Sequence, residues 1–257
     1  MLRAVIPARY DSSRLPGKVL LALGGKPMLQ WVWERACASR ADEVLVATDD
    51  ARVARAAGAF GAQVVMTAAA HASGTDRIAE AAWHRRWPDD DLIVNVQADE
   101  PLMPSALIDQ VSELLETQTW AHIATLASPL ASLEELMDPN VVKVVTGSGG
   151  RALYFSRAPI PWDREGAASG LSSQRSFAGA RRHIGLYAYR VGALRRLAAL
   201  APSALEQREK LEQLRALEND LAIVVGDAAE RPGQDVNTPQ DLERARALLG
   251  QPAGGAV

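Results

Sequence analysis

The sequence predicts an α/β fold in which helices cover both faces of a mostly parallel sheet. In the first half of the chain, short apolar runs alternate with helical patterns of roughly 10–15 residues, which is typical of βαβ units. The run LIVNV at residues 92–96 is continuously buried in character, as expected for a strand covered on both faces. A chain of 257 residues with 48% apolar residues is long enough for one large domain of this class.

The elements of the first half follow from these patterns. Proline marks several of the boundaries: Pro7 ends the first strand, Pro27 suits the first turn of a helix, and Pro88 ends another helix. Asp49 and Asp50 are candidate helix caps. We predict strands at 2–6, 44–47, 63–66, 92–96 and 123–127, and helices at 26–38, 51–59, 73–87 and 104–117.

The second half has a different pattern. We predict strands at 141–145, 152–156, 184–190 and 221–225, and helices at 191–200, 205–217 and 238–249. Gly147–Gly150 suits a hairpin turn, and the small polar residues 165–180 a loop. We therefore expect one domain over 1–250 in which about 130–220 form a smaller substrate-binding and dimerisation lobe, followed by a disordered tail at 251–257.

Composition narrows the class of partner. The net charge of −3 gives no basic excess for binding nucleic acid, and no apolar stretch approaches the length of a membrane helix. The chain has a single cysteine, Cys37, so it cannot form an internal disulfide. The apolar run at the N-terminus is too short for a signal peptide. We expect a soluble cytoplasmic protein that binds neither nucleic acid nor membrane.

A basic loop follows the first predicted strand. It carries Arg9, Arg14 and Lys18 within ten residues, and Ser12 and Ser13 add hydroxyl and backbone donors. Ligands of open α/β sheets bind at the carboxyl ends of strands, and a triphosphate needs several convergent donors. The loop is therefore a candidate phosphate site, although a solvated basic loop has the same composition. It matches neither a P-loop nor a G-x-G-x-x-G loop.

Acidic residues lie at two further positions. Asp99 and Glu100 follow the LIVNV strand at the same sheet edge as the basic loop, where a Mg²⁺ ion bridging phosphates would need one or two carboxylates. Asp99 is the stronger candidate because Glu100 precedes a proline, and a simple strand-ending turn is the alternative. Asp235 and Asn237 share one face of an extended segment and offer a second metal contact. Thr238 or Asn237 also suits the cap of the last helix.

The segment HASGTDR precedes a predicted helix. Ser73 or Thr75 suits an ordinary N-cap at its start. A second interpretation places the Ser73 hydroxyl and the Gly74 backbone against the edge of a base.

Taken together, these segments resemble the 3-deoxy-manno-octulosonate (Kdo) cytidylyltransferases from about residue 4 to 249. The motifs that carry the resemblance are IPARYDSSRLPGK, GGKPML, VATDD, HASGTDR, VNVQADEP, DPNVVKVV, ALYFSRAPIPWDR, RRHIGLYAYR, LEQLR and NTPQDLERAR. The resemblance implies a nucleotide-diphospho-sugar transferase-like fold. It also implies transfer of CMP from CTP to Kdo for lipopolysaccharide biosynthesis, Mg²⁺ as cofactor and a homodimer.

The resemblance also implies residue roles. Arg9, Lys18 and Asp99 would be catalytic. The nucleotide would be bound by Arg9, Ser12, Arg14, Lys18, Ser73, Gly74, Arg77 and Gln97. The sugar would be bound by Arg157, His183, Tyr187, Glu209, Glu212 and Gln213. The metal would be bound by Asp99, Asp235 and Asn237.

Spacing adds two expectations and one departure. His183 and Tyr187 lie on one face of a strand, and the spacing of Glu209 from Glu212 and Gln213 places them on one face of a helix. The family usually has an aspartate where this chain has Asn237, whose neutral carbonyl is a weaker Mg²⁺ ligand. A cytidylyltransferase for another acidic or amino sugar, or a nucleotide-binding protein without turnover, remain the alternatives.

Overall fold

A mixed sheet forms the centre of the molecule. The computed structural model describes residues 1–11, 15–166, 169–170 and 173–249. The strands of these residues are Leu2–Ala8 (β1), Ala22–Leu23 (β2), Lys26–Pro27 (β3), Glu43–Thr48 (β4), Gln63–Met66 (β5), Leu92–Asn95 (β6), Ile123–Pro129 (β7), Lys143–Thr146 (β8), Ala152–Ser156 (β9), Arg181–Arg190 (β10) and Ile223–Asp227 (β11).

The strand order explains how distant segments meet. Seven strands follow the order β11-β7-β10-β6-β1-β4-β5, and a β8–β9 hairpin attaches to β10. Neighbouring strands are parallel except at β10, which runs antiparallel to both β6 and β7. The carboxyl ends of β1 and β6 therefore lie side by side, next to the beginning of β10.

Helices cover both faces of this sheet. In the described chain they are Met28–Cys37 (α1), Ala51–Ala59 (α2), Gly74–His84 (α3), Ser105–Thr117 (α4), Leu133–Met137 (α5), Val191–Ala199 (α6), Ala204–Glu209 (α7), Gln213–Glu218 (α8) and Pro239–Leu249 (α9), with short 3-10 turns at Lys18–Leu20 and Ser148–Gly150. Alternate residues of β1 point to opposite faces. Ala4 and Ile6 pack with α1 and α4, whereas Val5 packs with α3 and α6. The α/β prediction is confirmed.

The first strand is longer than predicted. It continues through Pro7 to Ala8, although proline has no N–H to donate to a ladder. The strand tolerates Pro7 because its pairing with β6 has already ended at Val5, so that only β4 pairs with this part of β1. The helix predicted at 26–38 begins at Met28 instead, since Lys26 and Pro27 pair with β2.

The helix predicted at 205–217 was wrong. Two short helices, α7 and α8, replace it, and Lys210 between them adopts a left-handed conformation with φ of 54°. A capping box between Ser203 and Glu206 starts α7. The break separates Glu209 from Glu212 and Gln213, so the three side chains do not share one helical face as their spacing predicted.

The segment 130–220 contributes to the main sheet as well as to its periphery. Part of it forms the β8–β9 hairpin, but β10 lies in the middle of the sheet between β6 and β7. The short helix α5 was not predicted. The tail 251–257 and part of the loop 165–180 lie outside the described residues. None of the helices in the described ranges combines the length and apolar character needed to cross a bilayer.

Candidate active site

Two adjoining cavities open at the carboxyl edge of β1 and β6. The first, which we call the Asp99 cavity, has a volume of about 400 Å³ and is lined by Arg9, Asp11, Lys18, Gly74, Gln97 and Asp99, among others. The second, the Tyr187 cavity, has a volume of about 280 Å³ and includes Asn95, His183, Tyr187, Tyr189, Glu212 and Gln213. Gly74 and Gln97 line both cavities. A ligand in one cavity therefore lies next to a ligand in the other.

Lys18 connects three segments of the Asp99 cavity. Its Nζ donates to Asp99 Oδ2 at 2.6 Å and to the Val236 carbonyl and Asn237 Oδ1, both at 3.2 Å. Gly17 precedes it with φ of 67°, a conformation that glycine adopts without a Cβ penalty. The turn after β1 thus directs the ammonium towards the loops that follow β6 and precede α9.

Three carboxyl groups lie close to one another beside this lysine. Burial, together with the charges of Asp99 and Asp235, raises the pKa of Glu100 to about 8. Burial and the charge of Asp99 also raise the pKa of Asp235. Asn237 Nδ2 donates to Asp235 Oδ2.

Glu100 and Asp235 line a third cavity of about 240 Å³, the Glu100 cavity, which shares His183 and Gly185 with the Tyr187 cavity.

The HASGTDR segment forms the wall between the first two cavities. Ser73 caps α3 by accepting from Asp76 N at 3.1 Å, and Asp76 Oδ2 accepts from Ser73 N in return. Gly74 lies so close to β1 that a Cβ there would be 3.2 Å from Pro7 Cγ. The capping role predicted for Ser73 is therefore present, and the same turn exposes Gly74 to both cavities.

The two arginines predicted for the nucleotide differ in accessibility. Arg9 is exposed, and its Nη2 donates to the Ala72 carbonyl at 3.3 Å. Arg77 is fully buried, and its guanidinium lies 3.2 Å from an Asp49 oxygen and donates to Thr67. Arg77 therefore holds the VATDD segment against α3. Ser12 and Arg14, predicted from the same basic loop as Arg9, lie outside the described residues.

Aromatic rings form the floor of the Tyr187 cavity. The rings of His183 and Tyr187 are 5.3 Å apart between centroids, as expected for two residues on one face of β10. His183 Nε2 lies 3.0 Å from Thr125 Oγ1, and burial lowers the pKa of the imidazole to about 3. His183 is therefore neutral at pH 7. A neutral, weakly basic ring suits orientation of a ligand better than proton transfer.

Glu212 joins this cavity to the start of α3. Its side chain hydrogen-bonds with the side chains of Thr75 and Ser73, and burial raises its pKa. Thr75 also hydrogen-bonds with Tyr189. One hydrogen-bonded group therefore spans α3, β10 and the turn before α8.

Arg157 and Glu209 form a separate clamp next to the cavity. Glu209 accepts from Ser156 Oγ at 2.7 Å and from Arg157 N at 2.9 Å, while Arg157 Nε donates to the Glu209 carbonyl at 2.6 Å. The buried Lys143 donates to the Arg157 carbonyl at 2.7 Å and to two other carbonyls. These contacts fix the end of β9. Neither Arg157 nor Glu209 is among the residues that line the Tyr187 cavity.

Comparison with known proteins identifies the family. The sequence profile described as Cytidylyltransferase matches residues 3–223. The chain is 55% identical over 247 residues to the 3-deoxy-manno-octulosonate cytidylyltransferase of Thioalkalivibrio sulfidiphilus, covering 96% of this chain and 98% of that one. The corresponding protein of Pseudomonas syringae pv. syringae is 51% identical over 245 residues, with 95% and 96% covered. The chain belongs to the 3-deoxy-manno-octulosonate cytidylyltransferase family. The resemblance read from its motifs is confirmed, and the chain is a nucleotidyltransferase.

A solved structure agrees with this assignment. It is described as CMP:2-keto-3-deoxy-manno-octonic acid synthetase complexed with CTP, and it superposes on this chain with a TM-score of 0.86 at 41% identity, covering 96% of this chain and 97% of that one. The predicted fold class is therefore that of a solved cytidylyltransferase.

The oxygen atoms around Lys18 fit a divalent cation in this cytidylyltransferase. The ammonium lies among Asp99 Oδ2, Asn237 Oδ1 and the Val236 carbonyl, all oxygen ligands of the kind that Mg²⁺ accepts. Among the described residues no group of three or more His, Cys, Asp or Glu side chains could hold a metal ion. Mg²⁺ needs no such cage, because it binds one or two carboxylates together with phosphates and water.

Sequence reasoning missed several residues of the Tyr187 cavity. Asn95, Thr75 and Tyr189 line it without having been predicted as ligands. Asn95 and Gln97 are separated by one residue at the end of β6, and this period of two could have indicated Asn95 once Gln97 was proposed. Tyr189 is likewise two residues from Tyr187.

Proposed function

We propose that this protein transfers CMP from CTP to the anomeric hydroxyl of Kdo, giving CMP-Kdo and pyrophosphate for lipopolysaccharide biosynthesis. The observation that carries the proposal is the pair of cavities that meet at Gly74 and Gln97. The Asp99 cavity has the charges that a triphosphate requires, and the Tyr187 cavity has the rings and polar groups that suit a sugar acid. The relatives named above and the CTP-bound structure support the same substrates.

The reaction is one in-line displacement. The anomeric oxygen of Kdo forms a bond to the α-phosphorus of CTP, and the bond from that phosphorus to the oxygen bridging to the β-phosphate breaks. Pyrophosphate leaves with that oxygen, and the anomeric hydroxyl loses its proton. The protein contributes by positioning the two substrates and neutralising charge, so no covalent enzyme intermediate is required.

Lys18 and Arg9 hold the phosphates in this proposal, and Ser12 and Arg14 contribute from the same loop. Ser73 and Gly74 meet the cytosine, and Arg77, which lines the Asp99 cavity, is held there by its pairing with Asp49. Gln97 lies between nucleotide and sugar because it lines both cavities.

The sugar acid lies in the Tyr187 cavity. His183, Tyr187, Glu212 and Gln213 contact it directly, since all four line that cavity. Arg157 meets the carboxylate from the clamp made with Glu209. Within the clamp, Glu209 holds Arg157 in place. Glu209 does not line the Tyr187 cavity, so it would reach the sugar hydroxyls only from beyond the cavity wall.

Asp99 and Asn237 hold Mg²⁺ in this proposal, with Asp235 beside them. When bound, the ion neutralises phosphate charge and lowers the pKa of the attacking hydroxyl. With a triphosphate in the cavity, Lys18 would contact phosphate in place of Asp99. Asn237 contributes a neutral carbonyl oxygen, so Asp99 carries most of the charge of this site.

The test is pyrophosphate release by the purified protein with Mg²⁺, CTP and Kdo. Reactions without Kdo, with sialic acid, with other nucleoside triphosphates, or with a metal chelator are the controls. Release that requires CTP, Kdo and Mg²⁺ is the expected result. Release with a different sugar acid would retain the nucleotide half of the proposal and overturn the Kdo half. CTP binding without release for any sugar would contradict the proposed transfer and favour a protein that binds the nucleotide without turnover.

We also infer a cytoplasmic homodimer. Leu153 of the β8–β9 hairpin is 59% exposed, and Trp162, which follows the hairpin, is 43% exposed. Exposed apolar side chains of this size suit a surface that a second copy of the chain covers. The single cysteine of the chain, Cys37, is a free thiol, and free thiols are typical of proteins in a reducing compartment. Light scattering on the purified protein, compared with Leu153→Asp, measures the mass. A monomeric mass for the unaltered chain would contradict the homodimer.

A further inference from the structure

The floor of the Tyr187 cavity contains a buried polar group without a partner. Asn95 is 2% exposed, and its Oδ1 has no hydrogen-bond partner among the described residues. Buried side-chain amides nearly always have partners, so an unsatisfied amide oxygen on a residue that lines a cavity is a candidate for a hydrogen bond that a ligand supplies.

The position of Asn95 indicates which ligand that is. It is the last residue of β6 and pairs in register with Tyr187 of β10, a residue of the same cavity. Gln97 lines both cavities, whereas Asn95, two residues earlier on the strand, lines the Tyr187 cavity and is not among the residues of the Asp99 cavity. Asn95 is therefore further from the nucleotide than Gln97.

The chemistry of the missing partner follows from the atom that lacks it. An amide oxygen accepts hydrogen bonds, so the partner must be a donor. His183 is neutral at pH 7 because burial lowers its pKa, and burial raises the pKa of the Tyr187 and Tyr189 phenols further above their ordinary value near 10. The lining thus combines a neutral imidazole and two phenols with one carboxyl group, that of Glu212. The amide oxygen is uncharged, so the hydroxyl of a polyol is a sufficient donor for it.

We propose that Asn95 is a specificity-determining residue whose Oδ1 accepts a hydrogen bond from one hydroxyl of the sugar acid. The inference rests on the proposed function, because it assumes that the sugar acid occupies the Tyr187 cavity. A site that hydrogen-bonds a substrate hydroxyl discriminates strongly against an analogue lacking it, since the buried acceptor is then left unpaired.

The experiment compares Asn95→Ala with a matched control, Asn219→Ala. Asn219 lies after α8, outside the lining of the three cavities described above, and its amide donates to the Arg215 carbonyl. Steady-state pyrophosphate release gives kcat and KM for Kdo and for CTP separately. For Asn95→Ala we expect kcat/KM for Kdo to fall roughly 5- to 100-fold, with KM for CTP within about twofold. Asn219→Ala should match the unaltered enzyme.

A second measurement distinguishes the loss of one contact from a general loss of active protein. The unaltered enzyme is tested with Kdo analogues that each lack one hydroxyl, and the same analogues are given to Asn95→Ala. We expect one analogue to be a poor substrate for the unaltered enzyme and to suffer no further loss in Asn95→Ala. This non-additivity identifies the hydroxyl that Asn95 contacts.

The outcomes separate the two proposals. No release from Kdo by the unaltered enzyme would overturn the proposed function itself. Normal release together with equal, additive losses for every analogue in Asn95→Ala would overturn the role of Asn95 alone. A rise in KM for CTP instead of Kdo would also overturn it, because it would place Asn95 against the nucleotide.

Discussion

The Asp99 and Tyr187 cavities are adjacent but built on different physical principles. The Asp99 cavity depends on charged side chains from loops, and Lys18 is paired there with Asp99. A phosphate could take the place of Asp99 beside Lys18, and a cation the place of Lys18 beside Asp99. The Tyr187 cavity depends on buried rings and on side chains that already contact one another. If the substrates bind as proposed, nucleotide binding requires an exchange of ion pairs, whereas the sugar enters a cavity whose side chains already contact one another.

The largest expected effect comes from the carboxylate of the Asp99 cavity. Asp99→Asn keeps an oxygen that accepts from Lys18 but removes the charge that we propose holds a divalent cation. We expect kcat to fall on the order of 10³-fold while the affinity for CTP changes much less, because charge stabilisation acts mainly in the transition state. Pyrophosphate release measures kcat, and calorimetric titration measures CTP binding.

The control is Asp227→Asn, at the end of β11, where the side chain is 81% exposed and pairs with Arg181. It should leave both quantities unchanged. Near-normal turnover in Asp99→Asn would remove Asp99 from the metal site.

Substitution of Lys18 should have the next largest effect on activity. Lys18→Met removes a charge that contacts Asp99 and that we expect to move to the phosphates. We expect kcat/KM for CTP to fall roughly 100-fold, with kcat and KM both affected, because the contact serves binding and reaction. Lys26→Met is a matched control, since Lys26 pairs with Glu34 outside both cavities. A change in KM for Kdo alone would contradict the assignment of Lys18 to the nucleotide.

The buried imidazole of the Tyr187 cavity should make the stability of the protein depend on pH. Burial lowers the pKa of His183 to about 3, below the ordinary value near 6.5, so the folded protein binds fewer protons there than the unfolded chain. Its contribution to stability is complete above about pH 6.5 and is lost as the pH falls towards 3. At pH 5 the loss should be roughly 2 kcal/mol in the free energy of unfolding.

Urea denaturation at pH 7.5 and pH 5.0 measures this loss. His183→Gln should reduce the difference between the two pH values, whereas His84→Gln, whose side chain is 41% exposed, should not. Equal pH dependence in the unaltered protein and in His183→Gln would show that His183 is not buried in its neutral form.

Glu209 tests whether the clamp acts on the sugar alone. Glu209→Gln keeps one acceptor but weakens the charge-assisted bonds to Ser156 and Arg157 N. We expect KM for Kdo to rise about tenfold with little change for CTP. Glu243→Gln, on the exposed side of α9, is the control. An equal rise in both KM values would mean that the clamp supports the whole site.

The two cavities also differ in how far the sequence predicts them. Lys18 and Asp99 could be predicted to meet because each follows a strand, and the carboxyl ends of parallel strands share one edge. The partners of Glu209 could not be predicted. Its contacts depend on a left-handed residue, Lys210, that breaks a pattern otherwise typical of a continuous helix.

Tertiary placement decides the rest of the Tyr187 cavity. The position of β10 between β6 and β7, antiparallel to both, brings His183 and Tyr187 beside Asn95. Local patterns predict that β10 is a strand but contain no information on its neighbours. Arg77 shows the same limit: a basic residue of a motif predicted to bind the nucleotide is fully buried and pairs with Asp49.

The smallest expected effect is that of a substitution at Asn237 on the Mg²⁺ requirement. The motif resemblance implies an aspartate where this chain has Asn237, whose Oδ1 lies 3.2 Å from Lys18 Nζ. Asn237→Asp adds a carboxylate next to Asp99, so the Mg²⁺ concentration for half-maximal activity should fall by about two- to fivefold. The variant also places a third acid beside Asp235, and without metal this repulsion should lower stability. Magnesium titrations of Asn237→Asp and of Asn219→Asp, the matched control, test this expectation. An unchanged Mg²⁺ requirement in Asn237→Asp would mean that Asp99 holds the cation without help from the segment before α9.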